Sequence, residues 1–217
     1  MHVAIMENKQ TELFTHLRDK QNDTIVVTAL ASELPEYAPE RLLFTGVGKI
    51  NATMVLTRYL LEHPEIRKVI NYGTAGAAHG VAKGDLVKCT TFVQGDMDCS
   101  LITDGPGVTF GDDKAIAGVI NFGTDGLICR TQDQFVTDLD ALDIFQNLLE
   151  GRKFNVVDME AYALAKVCAT MGKDFICYKY ISDDADSNAD DEWEENVHKG
   201  EPLFYQILEE VHGFEYT

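Results

Sequence analysis

The chain is predicted to be an α/β protein. Three observations carry that expectation: short apolar runs with the length of buried strands, stretches of helical period set between them, and glycine-containing turns at the joins. No Pro- or Ser-rich linker, internal repeat or low-complexity block divides the 217 residues. One domain spanning 1–217 is therefore expected, with residues 1–22 as an N-terminal helical extension.

Lys9 to Lys20 reads as the helix of that extension. Thr24 to Leu30 and Arg41 to Thr45 read as strands, being short and rich in β-branched or apolar residues, and the loop between them carries Glu33 and Pro35. Gly46-Val47-Gly48 breaks the second run. From Lys49 to His63 the apolar positions Ala52, Val55, Leu56, Tyr59 and Leu60 then recur at helical spacing. Lys68 to Tyr72 is the next strand, ending on Gly73-Thr74-Ala75-Gly76, and Asp85 to Val93 is a longer extended segment ending in Gln94-Gly95-Asp96. Thr103 to Asp113, with Gly105, Pro106, Gly107 and Gly111 among acidic residues, reads as a surface loop. After it come a strand near Gly126 to Arg130, a helix near Asp138 to Glu150, a strand near Phe154 to Val157, a helix from about Glu160 to Met171 and an apolar run from Asp174 to Ile181. An amphipathic helix from about Glu194 to Val211 closes the chain.

Composition narrows the function. With 45% hydrophobic and 25% charged residues the chain has enough apolar material for a real core. The formal charge of -18 repels a phosphate backbone, so nucleic acid is not an expected partner. No stretch approaches a membrane span, and Glu7, Glu12 and Asp19 do not fit a basic-then-apolar signal pattern, so a cytoplasmic protein is expected. The five cysteines lack a CxxC pair and read as reduced thiols. The six histidines, His2, His16, His63, His79, His198 and His212, show no ligand or triad spacing, and surface positions are the expectation for each.

In an α/β sheet, ligands gather where strands end, and four such ends here carry acids. They are Glu33, Asp133, the pair Asp158 and Glu160, and Asp183. Singly, each reads as a helix cap or a solvated loop charge. Together they mark a candidate site.

Four motifs in order, Thr45-Gly46-Val47-Gly48-Lys49, Gly73-Thr74-Ala75-Gly76, Val157-Asp158-Met159-Glu160-Ala161 and Ile181-Ser182-Asp183 with Ala185-Asp186, resemble those of the purine nucleoside phosphorylase and nucleosidase superfamily. Within it, the sequence is most similar to the methylthioadenosine/S-adenosylhomocysteine nucleosidases. The resemblance runs from about Thr24 to the C-terminal helix. It implies a three-layer α/β/α sandwich with a mixed, twisted central sheet, a purine nucleoside as the small-molecule partner, no cofactor, no metal, and a homodimer or higher homo-oligomer.

The resemblance also implies roles. Asp183 would protonate the purine at N7 as the glycosidic bond breaks, which needs a carboxylic acid that keeps its proton, and the apolar strand before it is a source of the necessary desolvation. Glu33 would hold and activate the attacking water. Glu160 would accept hydrogen bonds from the ribose hydroxyls and stabilise an oxocarbenium-like transition state. Met159 would pack on the sugar face, Phe135 and Val136 would stack on and flank the purine, and Ser182 with Gly73, Thr74, Ala75 and Gly76 would complete the substrate contacts. Gly46 and Gly48 would shape a supporting loop. On residue type alone, Met159 and Phe135 read more readily as simple core residues, and only their position in the motifs lifts them above that reading.

Water is favoured over phosphate as nucleophile. The related bacterial phosphorylases use arginines to bind phosphate, one close before the GlyXxxXxxGly segment and one in an N-terminal loop; here Asn71 precedes Tyr72-Gly73, and Ala31 to Glu40 offers Glu33 and no arginine. The chain departs from the nucleosidase pattern in lacking a run of glutamates around Glu33, in the second acid Asp184 directly after Asp183, and in the segment Gly95-Asp96-Met97-Asp98-Cys99. Phosphorolysis, a nucleotide or futalosine as substrate, and an inactive nucleoside-binding protein on the same fold stay open as alternatives.

Two other patterns carry less. Asp184, Asp186, Asn188 and Glu195 fall at EF-hand-like positions, but Ala189 sits where the loop glycine belongs and a strand precedes the loop, so an acidic turn and helix start is expected. Gly46-Val47-Gly48 lacks the third glycine of a dinucleotide fingerprint.

Overall fold

Strand pairing in this protein closes on itself. The computed structural model describes residues 16–19, 22–36, 38–103, 107–109, 118–139, 149 and 151–216. At its centre is β5 (Lys68–Ala77), paired in parallel along its length with β10 (Asp174–Asp183). From β10 the pairing continues to β6 (Leu86–Gln94), β8 (Leu127–Thr131) and β9 (Val156–Asp158), and β9 returns antiparallel to the end of β5. Outside this ring, β2 (Thr24–Thr28) runs parallel to the start of β5, β4 (Leu42–Phe44) flanks β2, and β7 (Val119–Asn121) pairs with β6. The mixed, twisted central sheet expected from the resemblance is present, and the closure of the ring adds to it.

Alternation along the strands builds two cores. Ile25 and Val27 face one side, where Ala52, Leu56 and Leu60 of α1 (Lys49–Glu62) and the buried face of α2 (Ala161–Met171) pack on them. Val26, Ile70 and Tyr72 face the other side and meet Phe204, Tyr205 and Leu208 of α4 (Glu201–Glu210). Phe204 is fully buried and stacks on Tyr72 with ring centroids 4.4 Å apart, a burial worth roughly 2–3 kcal/mol. Helices on both faces give the three layers.

Local chemistry sets the helix ends. Gly48 caps α1 at φ 94, and at the other end Gly172 takes a left-handed φ of 65 and donates its N–H to the Cys168 carbonyl, closing α2.

The C-terminal region corrects one expectation. Instead of one helix from Glu194 to Val211 there are two, α3 (Ala189–Asn196) and α4, broken at Val197 to Gly200. Pro202 has no N–H to continue a preceding helix and fits only a first turn, while the Gly200 backbone lies so close to Tyr180 that an added Cβ would sit 2.3 Å from the ring. The expected N-terminal helix falls mostly outside the described residues, and its described end, β1 (His16–Asp19), is a strand. It pairs with β3 (Ala38–Pro39) and β11 (Phe214–Tyr216) in a small second sheet. Most of the expected helix near Asp138 to Glu150 and most of the Thr103 to Asp113 loop also lie outside the described residues. His212 departs from the surface expectation: it is half-buried, it meets the Tyr178 hydroxyl at 3.0 Å, and burial pushes its imidazole down to about 4.

Candidate active site

Two strands share one edge of β5 and leave a gap between them. β2 pairs with Lys68 to Asn71 and β9 with Gly76 and Ala77, so the backbone around Thr74 is free of strand partners on that side. Glu33, in the 3-10 turn Ala31–Glu33 that follows β2, fills the opening. Its Oε1 accepts from the Thr74 N–H at 2.9 Å and the Thr74 hydroxyl at 3.2 Å. Its Oε2 accepts from the Thr28 hydroxyl at 2.6 Å and from the N–H groups of Ala29 and Leu30, both at 3.0 Å. The glutamate is only 4% exposed, and these five donors offset the cost of burying it.

Glu160 sits at the start of α2, where Oε1 accepts from the Gly48 N–H at 2.8 Å. Burial first, and the neighbouring Asp158 carboxylate second, push Glu160 up to about 8. Asp183 ends β10; its Oδ2 accepts from the Ser182 hydroxyl at 2.7 Å and its Oδ1 from the Ala185 N–H at 3.0 Å. Desolvation raises its carboxyl above the usual range, with Glu192 and Asp184 adding to the effect.

All three acids open onto one cavity of about 430 Å³. Thr74, Ala75, Gly76, Met159 and Ser182 line it, and Phe135 and Val136 form part of its wall, Phe135 with 39% exposure and therefore not a core residue. From α3 the wall gains Asp190, Asp191, Trp193 and Glu194. Trp193 is anchored by its indole N–H, which donates to the Thr74 hydroxyl oxygen at 3.0 Å and so braces the residue that holds Glu33.

The family model described as the Phosphorylase superfamily matches residues 37–212. The 5'-methylthioadenosine/S-adenosylhomocysteine nucleosidase of Bacillus thuringiensis (strain Al Hakam) is 30% identical over 206 residues, covering 84% of this chain and 86% of the relative. The Bacillus cereus (strain G9842) protein of the same name is 28% identical over 200 residues, covering 83% of this chain and 84% of its own length. The chain belongs to the phosphorylase superfamily, within its 5'-methylthioadenosine/S-adenosylhomocysteine nucleosidase family. Among solved structures, the Streptococcus pneumoniae MTA/SAH nucleosidase in complex with 8-aminoadenine superposes with a TM-score of 0.71 at 19% identity, over 86% of this chain and 96% of that one. A futalosine hydrolase mutant of Helicobacter pylori strain 26695 gives 0.72 at 17%, over 87% and 99%.

For this nucleosidase-family chain, the structure brings together most residues singled out from sequence and moves a few aside. Gly73 is off the cavity wall; an added Cβ there would lie 3.2 Å from both Glu33 Oε1 and Lys179 Nζ, so glycine lets the two charged groups approach the strand. Gly46 and Gly48 also stand back from the wall, which Val47 joins instead. Asp133 is exposed and works on structure: Oδ1 accepts from the Lys49 N–H at 2.8 Å at the start of α1, and Lys49 Nζ bridges Asp133 at 3.0 Å and Asp96 at 2.5 Å. Asp184 turns outward to Lys83 at 3.2 Å, away from Asp183. The acidic run that mimics an EF-hand is a turn closed by the Asn188 N–H on Asp186 before α3 begins.

Sequence reading missed Lys179 and Trp193. Lys179 is 1% exposed and pairs with Asp158 at 2.8 Å. The one available signal was a lysine in the middle of the apolar run Phe175 to Ile181, since a buried lysine needs a partner. Trp193, the single tryptophan, lies on a charged helix with nothing local to mark it.

Proposed function

We propose that this protein hydrolyses the N-glycosidic bond of a purine nucleoside, methylthioadenosine or S-adenosylhomocysteine, releasing free base and sugar. The observation that carries the reading is the convergence of Glu33, Glu160 and Asp183 on one cavity. Asp183 is the proton donor: its raised carboxyl keeps a proton to deliver to N7 of the departing purine. Glu160, held protonated by burial until substrate binds, accepts from the ribose hydroxyls; those donors favour its ionised form, and the carboxylate then offsets the positive charge that develops on the sugar. Glu33 holds the attacking water, which enters at the longest of its five hydrogen bonds, the 3.2 Å contact with the Thr74 hydroxyl. Phe135 and Val136 hold the base and Met159 the sugar face.

The wall argues for water over phosphate. Glu33, Asp158, Glu160, Asp183, Asp190, Asp191 and Glu194 all line the cavity, and no lysine or arginine does among the described residues. A phosphate dianion beside this many carboxylates is repelled, whether it is a nucleophile or the 5' group of a nucleotide.

Residues 1–217 make up one domain in this reading, and the protein is a cytoplasmic homodimer. No helix of the described residues is long and apolar enough to cross a membrane, and the five free cysteines suit a reducing compartment. Ile50, Met54 and Leu61, 78%, 56% and 69% exposed on α1, supply apolar surface for a second copy.

Base release from methylthioadenosine, S-adenosylhomocysteine, adenosine, inosine, AMP and futalosine, each with and without phosphate, tests the function. Phosphate-independent release from the first two is expected. Phosphate-dependent release would make the protein a phosphorylase, and release from none would leave a binding protein.

A further inference from the structure

Lys179 comes from β10, is 1% exposed between Gly73 of β5 and Asp158 of β9, and stands back from the cavity wall. Its Nζ lies 2.8 Å from Asp158 Oδ2, and the same Asp158 oxygen accepts from the N–H groups of Glu160 at 3.2 Å and Ala161 at 2.8 Å. Asp158 Oδ1 takes the Thr131 hydroxyl at 2.5 Å, and the Thr131 oxygen takes the Tyr162 N–H at 2.9 Å. The first turn of α2, whose N-cap is Glu160, is therefore hung on Asp158, and Lys179 is the cation that allows Asp158 to be buried as an anion.

We infer that Lys179, acting through Asp158, is a positioning device that sets both the orientation and the charge state in which Glu160 meets the hydroxyl groups of a substrate. The inference rests on the role proposed above for Glu160. Without the lysine, Asp158 and Glu160 would be two buried carboxylates two residues apart with no cation beside them; the remaining donors to Asp158 favour its ionised form, and Glu160 would hold its proton more tightly still. With it, Asp158 stays ionised and Glu160 is left to respond to the hydroxyl donors that a ribose brings.

The other charged groups around Glu160 do not supply this setting. Glu33 faces it from the turn after β2, and Asp183 and the α3 acids Asp190, Asp191 and Glu194 share its cavity; all carry the same sign. The Lys49 ammonium is turned to Asp96 and Asp133. Among the described residues Lys179 is the cation beside Asp158 and Glu160, and its charge opposes the effect of Asp158 on Glu160.

The test reads Glu160 directly and then through turnover. Carboxyl 13C NMR of the unliganded protein, labelled at glutamate and assigned with Glu160→Gln, follows the titration without any reaction. The pH profile of kcat/KM for base release follows it in catalysis. Asp158→Asn is expected to move the Glu160 titration to lower pH and Lys179→Gln to higher pH, each by about one unit or more, while Lys179→Arg stays near wild type. The double variant Asp158→Asn/Lys179→Gln carries neither charge and is expected to fold with a titration between those of wild type and Asp158→Asn, since Asp158 acts on Glu160 more strongly than Lys179 does, which keeps the cycle readable where Lys179→Gln alone does not fold. Shifts of the same sign for Asp158→Asn and Lys179→Gln, or a double variant shifted as far as Asp158→Asn alone, would overturn the inference. A protein that releases no base from any nucleoside but shows the opposed NMR shifts would overturn the proposed function and leave the charge-setting role in place.

Discussion

The backbone N–H of Gly48 donates to Oε1 of Glu160 at 2.8 Å, joining residues 112 apart in the chain. The start of α1 thereby holds the side chain of the residue that starts α2. The next residue, Lys49, ties the same loop to Asp96 after β6 and Asp133 after β8, so three loops around the cavity are braced at one point.

Gly48→Ala is expected to loosen that brace. The position has φ 94, a region strained for alanine, and a Cβ would lie 3.3 Å from Asp133 Oδ1. A loss of about 1–3 kcal/mol in stability follows from the backbone strain. Denaturant melts would register it, together with a rise in KM; an unchanged KM would mean that the loop does not position Glu160.

Asp183→Asn keeps the shape of the site but cannot deliver a proton. Turnover is expected to fall by about a hundredfold or more with little change in melting temperature. Steady-state base release measures it, and near-wild-type turnover would remove Asp183 from the mechanism.

The stability of the fold carries a signature of Glu160. In the folded chain burial holds its proton up to about 8, whereas the ordinary value is 4.5. Between those values the unfolded chain binds fewer protons than the folded one, so Glu160 lowers stability progressively as pH rises from about 4.5 to about 8. Glu160→Gln lacks this slope. Its melting temperature relative to wild type is expected to be higher at pH 8 than at pH 5, and an equal difference at both would contradict the burial of a protonated Glu160.

Trp193 offers a readout that needs no substitution. It is the single tryptophan and lies on the cavity wall, so its fluorescence is expected to change in a saturable way when adenine binds. Trp193→Phe removes the hydrogen bond to Thr74 and is expected to lower kcat several-fold by letting the Thr74 hydroxyl turn away from the water site on Glu33, an effect on the order of 1 kcal/mol.

Much of the site could be read from sequence because it is local in the chain. Glu33, Glu160 and Asp183 follow strands whose apolar pattern is plain, and each strand end points its loop to the same edge of the sheet. The C-terminal helix was read as one because its apolar spacing survives the break at Gly200, and the cause of that break is the packing of Gly200 on Tyr180, far away in sequence. The short strands β7 and β11 left too little periodic signal to be found.

Sequence by itself determined the alternation of strands and helices, the glycine turns and the acids at the strand ends, since hydrophobic period and turn chemistry depend on neighbours in the chain. Tertiary structure alone decided that the sheet closes into a ring, that Asp158 belongs to Lys179 while Glu160 belongs to Gly48, and that Asp184 turns away. Such choices depend on which charges are removed from water together, and that is settled only when distant segments pack.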